Sequence, residues 1–572
     1  MRNPLKTATY LGTLAWRHVR ADPARAALRG LRLLPDRERR RCVAVTRTLY
    51  RIGILGPVPY IYCLWSMGHR ERATALVHTA THSASPSRAA RLAAFAIACE
   101  QDELAEALLD QVPAGRRRRR LAHRRDLAAG RVAAATSPPP RPVGGARVAP
   151  RSGTARDQRV NTSRGECVLH LVTNALPHTN AGYTQRTHRI ARAQQAAGMR
   201  PHVLTQPGYP LSQGILDARP QVPVDGVPYH RLLPWIAPGN DAARLRLGLR
   251  LAEPLVLRLR PTVLHAASGH RNAELALALG RRHGIPVVYE VRGFLEESWL
   301  SRDPRRCPTD AHYRVERDRE TACMQAADLV VTLGTAMRAE IVARGVPSEK
   351  IVIAPNAVDE SFLEPLPDAT ELRAELGLGP DSVVVGTTTS CYGYEGLDTL
   401  LRAVALLRER GRDAHALIVG DGPELPALRE LARGLPGGQH WAHLPGRVPA
   451  AQVRRYHAVL DVFAVPRRDQ RVCRLVTPLK PVEAMAGGVP VVASDLPALR
   501  EIVEPGVTGA LIPPDDCVGL ATCVEELLYR RTHGQELGQA ARRWVRNGRT
   551  WTSLTKTYKS GYESLLWGKG GC

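Results

Sequence analysis

A chain of 572 residues, 44% hydrophobic and 5% aromatic, is long enough for two to four domains that each bury a core. Its formal net charge is +26, but residues 1–160 hold 30 Lys and Arg against 11 Asp and Glu, so +19 of the excess lies in an N-terminal appendage. No run of 18 uncharged apolar residues predicts a membrane span, and 11 cysteines without a CxxC pair exclude a disulfide or zinc framework, the pattern of reduced thiols in a cytoplasmic protein.

Residues 1–132 are Ala-, Leu- and Arg-rich and predict a basic helical region; a charged N-terminus without an apolar core and small-residue cleavage site does not read as a secretory signal. The stretch Ile52–Gly68 is uncharged but interrupted by Pro57 and Pro59, which predicts a buried or interfacial helix pair. Within Ala89–Val112 apolar residues recur at helical spacing on either side of a polar break at Cys99–Glu103, the pattern of a helical hairpin. The densest charge run is Arg116–Arg120 with Arg124 and Arg125. It reads as a solvated, partly disordered face or as a contact for an anionic membrane surface; without interleaved aromatics for base stacking, nucleic acid is not the expected partner. Residues 133–164, rich in Pro, Gly and Arg, predict a disordered linker.

Order returns at Cys167–Val172, a buried-strand pattern followed by a glycine-bearing loop, an amphipathic helix and a second strand from His202: the opening of a Rossmann-like unit. Gly182, at the start of that helix, would let a phosphate approach the backbone. Strand candidates Val263–Ala266, Val287–Val291, Leu329–Leu333 and Ile351–Ile353 alternate with helices and define one α/β domain over 165–365. A second spans 366–550, with strands at Val383–Thr387, Ala416–Gly420, Trp441–Leu444 and Val459–Val465; Gly420 and Gly422 permit a tight turn at its ligand edge. Residues 551–572 form a last helix. His178, His265 and His270 lie at or just beyond predicted strand ends, each a candidate cleft residue or a satisfied surface or core histidine, and Glu296-Glu297 opens a helix, either an acceptor contact or a solvated helix start.

The stretch Pro466–Glu501, PRRDQRVCRLVTPLKPVEAMAGGVPVVASDLPALRE, carries the chemistry. Basic residues and two prolines around Lys480 precede a helix that contains Glu483, and a valine-rich strand follows. Cations before a helix N-terminus favour a phosphate, and a carboxylate in the first turn accepts hydrogen bonds from paired sugar hydroxyls. Phosphate plus polyol predicts a nucleotide or nucleotide-sugar.

Thr477–Ala486, TPLKPVEAMA, resembles the donor-binding motif of GT-B glycosyltransferases, specifically the TPLKPxEAMA subgroup of the retaining family four, and KIVIAPNAVD at Lys350–Asp359 resembles the end of that family's N-terminal domain. The resemblance covers about 165–567. It implies an α/β GT-B fold, two facing Rossmann-like domains here preceded by a helical region, with the last helix crossing back to the first domain. It implies that Glu483 binds the ribose hydroxyls, that Arg474 and Lys480 neutralise the diphosphate and stabilise it as leaving group, that Arg447 and Val448 present backbone groups to the base, and that Pro478 and Leu479 belong to the same donor loop. Three positions depart from the pattern: Leu475 stands where the first of two glutamates falls, Glu395 where a lysine precedes glycine, and Arg292 where an active-site histidine ends a strand. The activity implied is transfer of a hexosyl or N-acetylhexosaminyl group from a UDP- or GDP-sugar to a glycan or lipid-linked acceptor, with retention, in polysaccharide or glycoconjugate synthesis. No cofactor or metal is expected, and the place of action is cytoplasmic or peripheral at the inner face of a membrane. The missing glutamate raises the alternative of a catalytically impaired nucleotide-sugar-binding scaffold docked by its basic region.

Overall fold

A computed structural model describes residues 7–14, 31, 36–54, 56–81, 85–99, 101–128, 166–529 and 531–567. The linker expected over 133–164 lies outside the described residues.

Among the described residues, the helices Asp36–Arg51, Pro57–Ser66, Arg70–Thr81, Pro86–Ala98, Asp102–Asp110 and Arg116–Ala128 form the N-terminal bundle. Alanines 89, 90, 93 and 96 let the backbones approach closely around Ile61, Leu92, Phe95 and Leu108. Ile52–Gly68 holds one helix rather than the expected pair, because Pro57 sits at its first turn, where its missing N–H costs nothing. The arginine run is helical from Arg116 rather than a disordered face, held by buried Leu121 and by Arg118, which donates to Asp110 (2.7 Å). Among the described residues no helix is long and apolar enough to cross a membrane.

The first sheet contains β1 (Cys167–Val172), β2 (Arg200–Thr205), β3 (Gln221–Val224), β4 (Val227–Arg231), β5 (Val263–Ala267), β6 (Val287–Val291), β7 (Leu329–Thr332) and β8 (Ile351–Ile353), ordered β3-β4-β2-β1-β5-β6-β7-β8. Only the hairpin β3–β4 is antiparallel; Asp225 and Gly226 turn it with positive φ at both positions, as a two-residue hairpin requires. The second sheet contains β9 (Val383–Thr388), β10 (Ala414–Val419), β11 (Ala442–Gly446), β12 (Val462–Val465), β13 (Val491–Ser494) and β14 (Gly509–Ile512), all parallel in the order β11-β10-β9-β12-β13-β14. Parallel strands are covered by helices on both faces, which is why CVLHLV and VVAS are buried throughout. In each sheet the order reverses beside the first strand, at β1/β5 and β9/β12, and there the C-terminal ends of neighbouring strands diverge to leave a crevice.

The last helix, Trp551–Trp567, packs Trp551, Leu554, Tyr558 and Tyr562 against Val168, Val263, Val288 and Val331 of the first domain. The opposite end of the chain reaches the same domain: residues 7–14 form a helix whose Tyr10, 1% exposed, packs with Leu211 and Ala237, while Thr13 Oγ1 accepts from the Ala237 amide (3.2 Å). Gly208 makes room for this contact, since a β-carbon there would lie 2.0 Å from the Tyr10 hydroxyl.

The two α/β domains are also fastened to each other. Arg471 donates from Nε to Glu297 (2.7 Å) and from Nη2 to Glu340 (2.6 Å). Helix Thr335–Ala343 begins at Gly334 with no side-chain cap of its own; Glu501 of the second domain supplies one, accepting from the Thr335 and Ala336 amides (both 2.8 Å). Glu501→Ala is expected to destabilise by about 0.5–2 kcal/mol, the usual worth of an N-cap. Urea unfolding measures it, and an unchanged midpoint would show that the interdomain cap contributes nothing.

Candidate active site

Between the two sheets lies a cleft of about 600 Å³. The first domain lines it with the residues after β1 (Thr173, Asn174), the first turns of helix Gly182–Ala196 (Tyr183, Thr187), the 206–213 loop, Arg244, and the residues after β5 and β6 (Ser268, His270, Arg271, Arg292). The second domain contributes Tyr394, Arg467, Val472 and Val476. Nearly all follow the carboxyl ends of strands, because each strand delivers its outgoing loop to that edge.

Arg292 is anchored rather than free. It donates from Nε to Glu290 (2.9 Å) and from Nη1 to the Tyr183 carbonyl (2.9 Å) and Thr187 Oγ1 (2.7 Å), tying β6 to the start of helix Gly182–Ala196. Gly182 opens that helix with nothing within 4 Å of the position of an absent β-carbon.

Lys480 and Glu483 come together, Nζ donating to Oε2 at 2.9 Å. They lie in the interdomain seam beside the cleft rather than in its lining, for Glu483 Oε1 is 3.6 Å from Arg189 of the first domain, which also pairs with Asp359 (2.7 Å). Burial works to raise the Glu483 pKa, but Lys480 and Arg189 outweigh it and hold the carboxyl ionised below its ordinary range. Pro478 and Leu479 enter this helix on a loop fixed at Thr477, whose carbonyl accepts from Asn356 Nδ2 (2.9 Å).

Arg474 does not join them. Its side chain is 57% exposed and pairs with Asp469 of its own loop (2.6 Å). Arg447 reaches across to the Asn180 carbonyl (3.3 Å), next to Gly182, and Val448 packs on the second-domain core. Gly420 and Gly422 are required by a close approach of protein backbone: β-carbons there would lie 1.7 Å from the Thr389 carbonyl oxygen and 2.4 Å from that of Cys391. His178 pairs with Asp217 (2.9 Å) outside the cleft, and His265 is enclosed between Tyr562 (2.7 Å) and Glu290 (3.2 Å). Glu296 and Glu297 are neither solvated nor in the cleft: both are buried, the first against Arg344 (2.7 Å), the second accepting from the Tyr313 hydroxyl (2.6 Å) and Arg471.

One feature of the site has no local signature in the sequence. At the β9/β12 reversal, Arg467 makes a buried two-pronged pair with Glu395 (2.9 and 3.1 Å) and donates to the Val476 carbonyl (3.0 Å). The acid at the position of the family's lysine is thus answered by a cation from the neighbouring strand, and that departure from the family's pattern was the available signal. Of the three candidate histidines, His270 does line the cleft. Burial opposes its charge, yet Glu274 and Glu316, each at 3.3 Å, raise it to about 9. A group raised this far above 6.5 stabilises fully below that pH and loses its contribution as pH climbs through 9. NMR titration is expected to show His270 charged at pH 7.5, and a midpoint below 6.5 would remove it from the cationic lining.

Two facing α/β domains of this strand order, with a cleft at their switch points, constitute the GT-B fold. Sucrose-phosphate synthase from Thermosynechococcus elongatus superposes with TM-score 0.58 at 18% identity, over 70% of this chain and 99% of that one. HepE from Anabaena, solved in complex with UDP, gives 0.55 at 19%, over 70% and 100%. At such identities the likeness speaks for fold alone. Residues 181–357 match the family described as glycosyl transferase 4-like domain, and residues 379–530 match glycosyl transferases group 1. Together the matches cover more than half of the chain, and it belongs to the group 1 glycosyltransferases of the GT-B class. The GDP-mannose-dependent alpha-(1-6)-phosphatidylinositol monomannoside mannosyltransferase of Mycolicibacterium smegmatis is 34% identical over 228 residues, 39% of this chain and 59% of that protein. The chain thus spans somewhat more than half the length of such curated relatives.

Proposed function

We propose that this protein transfers a sugar from a nucleotide-diphosphate sugar to an acceptor hydroxyl with retention of the anomeric configuration, in the synthesis of a glycoconjugate or polysaccharide. The observation that carries the reading is the placement of Lys480 and Glu483 where the second domain meets the first, beside a cleft lined from both. In the reaction the second domain holds the nucleotide, Glu483 accepting from ribose hydroxyls. Lys480, freed from Glu483 as the ribose takes its place, neutralises the departing diphosphate, stabilising charge as it develops. The leaving oxygen receives the acceptor's proton on the same face, so no separate base is required. Closure of the two domains keeps water from the activated sugar.

A scaffold that binds the donor without turning it over has one observation in its favour. Leu475, at the position of the absent glutamate, packs on the first-domain core and brings no carboxylate to the sugar.

The full chain should be incubated with GDP- and UDP-sugars, GDP-mannose first because a curated relative is named for it, while donor loss and thermal midpoint are followed. A donor-specific rise in midpoint with release of nucleoside diphosphate is expected. A rise without turnover would select the scaffold, and no rise with any donor would defeat both readings.

A further inference from the structure

Among the described residues, the lining of the cleft contains Arg244, Arg271, Arg292, Arg467 and His270 and not one Asp or Glu side chain. The carboxylates that answer these cations stand behind the wall, and they are shared. Asp241 serves three guanidinium groups: Arg271 (3.0 and 3.2 Å), Arg319 (2.9 Å) and Arg244, whose Nε is 3.9 Å away. Burial works to raise the Asp241 pKa, but Arg271 and Arg319 hold it at about 2, so it stays ionised; Arg319 is also answered by Glu274 (2.8 Å) and Arg271 by Glu316 at 4.0 Å, while among the described residues Arg244 has only its share of Asp241. Glu290 is similarly divided between Arg186 and Arg292. Arg244 is the least satisfied of the set: its one carboxylate is committed elsewhere, and its buried Nε has no hydrogen-bond partner. Beside it the wall is neutral and hydroxyl-seeking, with Thr173, Asn174, Gln206, Gln213, Ser268 and Ser298.

We propose that the first-domain end of this cleft recognises an acceptor bearing a phosphate, held by Arg244 and Arg271 while the neutral lining addresses its hydroxyls. The inference rests on the glycosyltransferase reading and names the class of its acceptor: a phosphorylated polyol, free or as the headgroup of a lipid. The donor's diphosphate is not the anion meant, because Arg244 and Arg271 belong to the domain opposite Lys480. A guanidinium fork suits phosphate oxygens, and an anion entering a site with surplus cations needs no proton uptake.

The test uses the full chain and matched pairs: myo-inositol against myo-inositol 1-phosphate, glucose against glucose 6-phosphate, and phosphatidylcholine vesicles with and without phosphatidylinositol. Binding is measured by calorimetry for the wild type, Arg244→Met and Arg271→Gln, with GDP and UDP as controls. The phosphorylated member of a pair is expected to bind at least tenfold more tightly. Both variants should lose that advantage while nucleotide affinity stays within twofold. Preference confined to the vesicles assigns the phosphate to a lipid headgroup, and preference among the soluble pairs to a free polyol phosphate; either supports the proposal. Equal affinities within every pair, a preference that survives both variants, or an equal loss of nucleotide binding would overturn it. Were donor turnover absent while the phosphate preference persisted, the glycosyltransferase reading would fall and the anion site would stand.

Discussion

In Arg186→Ala the folded state is expected to lose about 3–5 kcal/mol, the cost of breaking a buried ion pair from one side. Arg186, 3% exposed, donates to Glu290 from Nε and Nη2 (2.9 and 2.8 Å), to the carbonyls of Pro355 (2.9 Å) and Ala354 (2.7 Å), to Asn356 Oδ1 (3.1 Å) and to the Tyr558 hydroxyl (2.9 Å). One side chain thereby fastens β6, the chain between the domains and the last helix. Its removal orphans several buried acceptors and leaves Glu290 to Arg292, His265 and Tyr558. Burial works to raise the Glu290 pKa, but Arg292 and Arg186 hold it far below its ordinary value. A depressed carboxyl contributes stability above its unfolded pKa and loses it as pH falls. The variant should therefore show its deficit at neutral pH and a shallower decline toward acid. Arg186→Lys, which keeps the charge but not the fork, should fall between. Urea unfolding at pH 7 and pH 4 decides it: a deficit below about 1 kcal/mol at pH 7, the net worth of one ordinary hydrogen bond, would mean that the network does not hold the fold.

Lys480→Met is expected to do the reverse, lowering turnover by about 10²–10³ while leaving the fold in place, the range found when one charge-stabilising donor is removed. Its side chain is 38% exposed, and Glu483 keeps Arg189 at 3.6 Å, so the variant should melt within a few degrees of the wild type. The distinguishing measurement is initial rate against donor concentration. A fall in kcat is expected, since the charge is needed most when the diphosphate departs. Glu483→Gln should act instead on donor KM. Wild-type turnover in Lys480→Met would end the assignment of that residue to the phosphate.

The doubly wound halves were legible because parallel strands, buried on both faces, are written as uninterrupted apolar runs such as CVLHLV and VVAS. The loop that carries Lys480 and Glu483 stood out because TPLKPVEAMA gathers its polar and proline residues into ten consecutive positions. What stayed hidden depends on residues far apart in the chain. Arg186 and Glu290 are 104 positions apart and Glu395 and Arg467 are 72; only the strand order makes them neighbours. Arg474, to which the resemblance gives a phosphate role beside Lys480, pairs in this structure with Asp469 of its own loop, a pairing the motif does not show. The hairpin β3–β4 had a local signal, Asp225-Gly226 between apolar runs, that went unused. No local pattern shows that the cleft wall excludes carboxylates, because that is a property of a surface gathered from both domains.

The helix at residues 7–14 and the helix Trp551–Trp567 are both moored on the first domain. A protease that cut between the helical bundle and the enzyme body would not by itself separate them, because Tyr10, Leu11 and Leu14 would still be seated on Leu211, Leu233 and Ala237. The wall they cover runs into Tyr209, Ser212 and Gln213 of the cleft, so the seat of this N-terminal helix is also part of the mouth of the site.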